Sequence, residues 1–456
     1  MSQPIPRPPG VPVLGNIFDV TPSNTWTSLK KLSEEYGDIF QVKVLGRTIV
    51  FVASVALAEE ICDEKRFRKF VGGPIVEIRA AVHDALFTAF DDEPSWGIAH
   101  RIMAPRLSAD TMRRQSFTEM RDTANELIEK WRKIGPHATA PLGELQRLNL
   151  ESTALTLFGK KLNCLHGPEH PLLKAMEDAT AEAMMRPTRP AILNLVYKNK
   201  FKDAIKTMRR FASEIVEYRK SHPTDREDVL SAMLDSEDPE TKRKLTDSQV
   251  IDEIVSMPIG SSTAPCLLAT AIFLLLRNPD VVARARQELD TLVAPGRELT
   301  VQDLDNLEYI QAVVRESLRL SFAAPGFNME PIPSESRAPV LLAGGKYQVA
   351  HDQAIIIVMA GVNRDASVFE DPLAFKPERM MGQQLERLPE GAKKWFGNGK
   401  RACIGRHYAW QWSVLVLAML IRRVDFEMEH DKYELVQDGW FNYRPVGFKT
   451  KVRVRD

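Results

Sequence analysis

The chain has 456 residues, enough for one large core or two to three ordinary domains, and enough to enclose a sizeable ligand. Lys plus Arg and Asp plus Glu each count 61, so no charge surplus draws the protein to nucleic acid or an anionic membrane, and no nucleic-acid partner is expected. Cys62, Cys164, Cys266 and Cys403 are far apart and lack CxxC spacing, which argues against a disulfide framework or zinc site and favours a reduced, cytoplasmic setting.

The opening "MSQPIPRPPGVPVLGN" reads as an extended lead-in without an apolar run of signal or spanning length, so no transmembrane anchor is expected. A helix is predicted over 25–36. "IFQVKV" and "TIVFVA" then alternate, and read as a hairpin joined at Leu45-Gly46-Arg47. Helical spacing follows over 55–63, 95–106, 110–133, 142–158, 170–185, 198–222, 226–234, 246–277, 279–293, 301–305, 308–320 and 403–424, with one more strand at 353–359. The fold class is mainly α with a small β part. No repeat, low-complexity linker or charge block divides the chain, so residues 1–456 read as a single domain.

Thr246 and Gln249 fit a capping box, and the helix they start, about 31 residues at ~1.5 Å each, would span roughly 46 Å and cross the molecule. Its middle reads "MPIGSSTAPC", residues 257–266. Pro258 and Pro265 each remove a backbone donor, at about 3 kcal/mol relative to alanine in a helix interior. Pro265 frees the carbonyl of Ser261 and Pro258 that of Ile254, and freed carbonyls need water or a hydroxyl.

The most informative stretch is "FGNGKRACIGRHYAWQW", 396–412. Gly397 and Gly399 give a tight loop, Cys403 follows, and an apolar helical run begins. At a helix N-terminus unpaired amides and the dipole favour thiolate over thiol, making Cys403 a candidate metal ligand or nucleophile. An isolated cysteine in a turn is otherwise most often structural. The same stretch formally matches GxGxxA, but no strand precedes it and no βαβ succession follows.

With Phe396, Gly399, Arg401, Cys403 and Gly405 in register, the stretch resembles the haem-binding signature of the cytochrome P450 family. The resemblance implies a haem-thiolate fold with a long helix crossing over the haem. It implies haem b with Cys403 as axial thiolate to iron, Phe396 beside it and Arg401 paired with a propionate. "WGIAHR" sets Trp96 and His100 one helical turn apart, and the resemblance makes both propionate contacts, with Lys69 of "FRKF" a further one. Glu316 and Arg319 of "RESLRL" alone would read as an exposed i,i+3 salt bridge; with Arg379 of "FKPERM" they resemble the family's Glu-Arg-Arg scaffold.

"CDEKRF", "LFTAF", "WGIAHR", "AGGKY" and "FGNGKRACIGR" resemble, in that order, the haem domains of self-sufficient fatty-acid hydroxylases fused to a diflavin reductase. The resemblance implies dioxygen and electrons from an NADPH-linked FAD/FMN reductase, separate from this chain or removed from it. It places Arg47 and Phe51 at the channel mouth, Phe87 over the haem, and Ala323 and Phe327 along the pocket. The implied ligand is a long, apolar fatty acid, polyketide or terpenoid, with Arg47 as candidate partner of a carboxylate.

The family's oxygen-activating pattern has an acid before its threonine. Here Thr263 is kept, but the acid is Ser262 and the following hydroxyl is Ala264. Serine relays a proton but does not supply one near neutral pH. Three readings stay open: a monooxygenase using Thr263 with water through Ser262, a haem-thiolate enzyme driven by peroxide or converting an oxygenated substrate, and a non-catalytic haem or lipid binder.

Overall fold

The five-stranded sheet of the protein, seen in the computed structural model that describes residues 2–44, 46–336, 338–439 and 441–455, sits beside a much larger helical body. Its strands lie in the order Ile39–Val44, Arg47–Val52, Ile355–Val358, Gly326–Pro331 and Phe67–Lys69. All pairs are antiparallel except Arg47–Val52 with Ile355–Val358. The expected hairpin forms with Val44 opposite Arg47; Leu45 of its turn lies outside the described residues. Two apolar cores follow this division, one among the helices and one between the sheet and the N-terminal helix Thr25–Tyr36.

Most predicted helices form within a few residues of their expected ends, because their apolar positions at three- and four-residue spacing become the buried face. Three differences matter. Helix Pro74–Val82, after Gly72-Gly73, was not expected; it is short, and its only start signal is Pro74 in its first turn. Residues 110–133 are not one α-helix: a wide π turn at Met112–Ser116 precedes Phe117–Ile134, where Gln411 Nε2 donates to Met112 O at 3.0 Å. The helix after Cys403 starts only at Arg406, with Gly405 as its cap, so the cysteine stands in the loop before it.

The long central helix is also divided. It runs as Asp247–Ser261 and Thr263–Arg277, with the predicted Thr246/Gln249 capping box at its start. By length and composition this pair could cross a membrane, but most of it is buried inside the molecule. The division places Pro265 in the first turn of the second segment, where a missing N–H costs little; Pro258 alone remains in a helix interior. The freed carbonyl of Ser261 accepts a hydrogen bond from Asn149 Nδ2 at 3.2 Å, from the neighbouring helix Pro141–Phe158. Asn149 also reaches Ser261 Oγ at 3.0 Å, and Thr153 Oγ1 donates to the same hydroxyl at 3.3 Å.

Asn149→Ala should therefore lower the unfolding free energy by about 1–3 kcal/mol, the usual cost of stranding a buried polar group. The loss should shrink in a Pro265→Ala background, where residue 265 regains a donor; strictly additive losses in a urea titration would count against this account.

Candidate active site

A cavity of about 1070 Å³ lies between the central helix and the cysteine loop. Ordinary small-molecule pockets run roughly 300–1,000 Å³, so this one stands at the top of that range. One face of the central helix lines it through Glu253, Met257, Gly260, Thr263 and Leu267, spaced by three or four residues. The opposite wall is the loop Phe396–Gly405, held by Cys403 N donating to Phe396 O at 2.8 Å. Gly399 has φ +57° and meets the Glu64 carboxylate, which accepts the Lys400 amide at 2.9 Å; a side chain there would collide with that carboxylate.

Cys403 differs from the other cysteines in position. Cys62, Cys164 and Cys266 are buried in packed protein, whereas Cys403 has accessible surface and lines the cavity. Burial pushes its thiol up, and the Gly405 amide and Arg406 only partly oppose this. Desolvation thus outweighs the backbone amide and the neighbouring cation at this group. A cation in the cavity would reverse the balance, since metal binding releases the thiol proton.

Positive charge collects at one edge of the same cavity. Arg401 pairs with Asp91 at 3.4 Å, donates to Ala89 O at 2.8 Å, and lies 5.2 Å from the Trp96 ring. Lys400 reaches Asp91 at 3.1 Å. Lys69 Nζ donates to Phe87 O at 2.5 Å, and burial, aided by Arg401, pushes its ammonium down to about 7. Trp96 and His100 stack at 5.1 Å, and burial, with Arg101, Arg401 and Arg406, lowers the His100 pKa. Asp91 is shared by Arg401 and Lys400, and Lys69 is bonded to a carbonyl rather than a carboxylate, so this edge suits an anionic ligand.

Glu316, Arg319 and Arg379 form the expected cluster, but it is no exposed pair. Glu316 and Arg319 are 0% exposed and joined by bonds of 2.7 and 2.8 Å; Arg379 Nε lies 3.4 Å from Glu316. The remaining Arg319 donors reach the carbonyls of Asn363, Pro372 and Ala374.

The profile of the cytochrome P450 family matches residues 5–452. The chain belongs to that family. It is 35% identical over its whole length to the bifunctional cytochrome P450/NADPH–P450 reductase ascE of Acremonium egyptiacum, covering 44% of that protein. It is 36% identical, also over its whole length, to the self-sufficient cytochrome P450 monooxygenase CYP505E3 of Phanerodontia chrysosporium, and 37% to a bifunctional cytochrome P450/NADPH–P450 reductase of Fusarium oxysporum, covering 43% of each. The chain spans less than half the length of these relatives. The family implies a haem, and the residues present fit one: a cavity-facing thiol, cations gathered at one edge, and a volume at the top of the ordinary range.

The other predicted residues divide. Arg47, Phe87, Ala323 and Phe327 line the cavity, Phe87 edge-on to Phe441 at 5.7 Å. Phe51 borders it too, but is buried and stacked on Phe40 at 5.1 Å, so it is also a core ring. Thr263 faces the cavity and its hydroxyl donates to Gly260 O at 3.1 Å. Ser262 does not. It borders a second, polar cavity of about 130 Å³, donating to Ile259 O at 2.6 Å and accepting from Asn442 Nδ2 at 2.6 Å. Asn442 and Ser261 border both cavities, and Glu177 and Arg444, paired at 2.9 Å, border the smaller one. Sequence reasoning missed Asp91, Asn149, Asn442 and Glu253. Only Glu253 left a signal, an acid on the helix face that carries Gly260 and Thr263.

Cys403→Ser is expected to abolish the thiolate-type absorption of the reduced carbon monoxide complex while leaving far-ultraviolet circular dichroism unchanged; a retained band would place the ligand elsewhere. Lys69 generates a second expectation. Its folded pKa lies below the unfolded value, so the unfolded chain binds more protons and stability without haem should rise from about pH 7 towards pH 10. Lys69→Met should flatten that rise in thermal melts; an identical slope would refute the buried-ammonium account.

Proposed function

We propose that this chain is the haem-thiolate part of a monooxygenase that inserts one atom of dioxygen into a long apolar substrate, by hydroxylation or epoxidation. The carrying observation is the cysteine thiol opening into the large cavity opposite Thr263. The balance for hydroxylation is R–H + O2 + NADPH + H⁺ → R–OH + H2O + NADP⁺. Bound haem supplies the site at which dioxygen is activated, with its cysteine ligand favouring O–O cleavage. Electrons come from a diflavin FAD/FMN reductase, fused or separate; relatives whose names include an NADPH–P450 reductase support this partner.

Each residue then has a chemical task. Cys403 would hold the iron of a bound haem, and Arg401, Lys69, Trp96 and His100 would take its propionates. Thr263 turns its hydroxyl towards the cavity as hydrogen-bond donor. Ser262 serves from behind the helix, where the orphaned amide oxygens of Asn149 and Asn442 suit a water that carries protons past Ser261. Arg47 receives a carboxylate head group, and Phe87, Ala323 and Phe327 confine the chain. The four unpaired cysteines agree with a reducing, cytoplasmic setting.

A second reading draws on one observation: the position beside Thr263 that carries the family's acid is Ser262, turned to the smaller cavity. Such an arrangement suits peroxide-driven turnover or conversion of an already oxygenated substrate.

Dodecanoate with NADPH, dioxygen and a diflavin reductase should give a hydroxylated product. Product from peroxide alone, with none from the NADPH system, would select the second reading; spectral binding without turnover by either route would leave only a binder. Under the first reading Ser262→Glu should raise product formed per NADPH severalfold, and an unchanged yield would show that proton supply is not limiting.

A further inference from the structure

Glu253 is a carboxyl group in the wall of an otherwise largely apolar chamber. It stands two to three turns before Thr263 on the cavity-lining face of Asp247–Ser261, beside Leu86, Phe87 and Met257. The residue is 3% exposed. Oε1 accepts the Leu86 amide at 2.8 Å, and no described residue bonds Oε2. The charged groups around it do not neutralise it. Asp252 is the neighbour on its own helix, Asp84 and His83 follow helix Pro74–Val82, and Arg209 belongs to helix Asn194–Ser221; Arg209 and His83 both bind Asp252, at 2.5 and 3.0 Å. Burial pushes the Glu253 carboxyl up to about 8, Asp252 and Asp84 add repulsion, and the Leu86 amide alone opposes. At neutral pH the group is therefore a carboxylic acid, with one oxygen accepting from the backbone and an O–H to give.

We propose that Glu253 is a specificity-determining residue whose carboxyl donates a hydrogen bond to a carbonyl or hydroxyl oxygen of the substrate, so that the cavity selects oxygenated apolar molecules over bare hydrocarbons. This rests on the reading of the cavity as a site for a long apolar substrate. A ligand without such an oxygen leaves a buried donor unpaired and so binds less well. Ten residues separate Glu253 from Thr263, roughly 15 Å at ~1.5 Å per residue, so the recognised oxygen lies far from the oxidised carbon. Arg47, at the cavity's exposed rim, is a separate anchor suited to a carboxylate.

The test is a spectral binding titration of the haem-loaded protein with dodecane, dodecan-2-one and dodecanoate. The unsubstituted protein should bind dodecan-2-one about tenfold more tightly than dodecane. Glu253→Leu should erase that preference by weakening the ketone alone, and Glu253→Gln, which keeps an N–H donor, should retain most of it. From pH 6.5 to 9 ketone affinity should fall as the acid ionises, and stay flat in E253Q; the surrounding charges are common to both proteins. Arg47→Ala should weaken dodecanoate only. Equal binding of dodecane and dodecan-2-one, or a preference that survives Glu253→Leu, would overturn the inference and leave the apolar-substrate reading intact. Failure to bind any of the three probes would overturn both.

Discussion

Arg319 uses all five of its N–H donors without meeting water: two on Glu316, and three on the carbonyls of Asn363, Pro372 and Ala374. A buried ion pair is tolerable only when its leftover hydrogen-bonding capacity is met, and here backbone carbonyls meet it. Glu316 in turn accepts the amide of Lys376 at 3.0 Å, and Asn363 returns a bond to Arg319 O at 3.0 Å. An irregular stretch of chain is thereby fixed to helix Glu308–Ser321. That stretch leads on to Phe396 and Cys403, so the position of the cavity thiol depends on a charge cluster outside the cavity.

The central helix meets the opposite demand. A straight helix with two interior prolines would be costly, but a break at Ser262 moves one proline to a helix start and lets Asn149 take the freed carbonyl. The break also sorts the hydroxyls. Ser261 and Ser262 turn towards polar partners behind the helix, while Thr263 and Ala264 face the cavity. One distortion thus separates a small polar cavity behind the helix from the large, largely apolar one in front of it.

Electrostatics inside the cavity repeat one theme: burial dominates the intrinsic preference of each group. Cys403 is pushed towards the thiol, Lys69 towards the neutral amine and Glu253 towards the neutral acid, all mainly by desolvation. The first two directions would reverse with a metal cation and anionic groups in the cavity. Glu253 lines the cavity away from the cysteine loop, with one carboxyl oxygen held by the Leu86 amide.

The sequence by itself determined the helical class, the hairpin, the capping box and the residues around Cys403, because local spacing and a short signature carry that information. It also marked the central helix as unusual through Pro258 and Pro265. Only the tertiary structure decided that Cys403 stands before its helix, that Ser262 looks away from the large cavity, and that Glu316 with Arg319 is buried. The Asn149 cap and the cavity-facing Glu253 belong there too. Each is set by contacts between residues distant in sequence, where desolvation and packing outweigh the helix dipole, the exposed-pair expectation and the bare helical repeat.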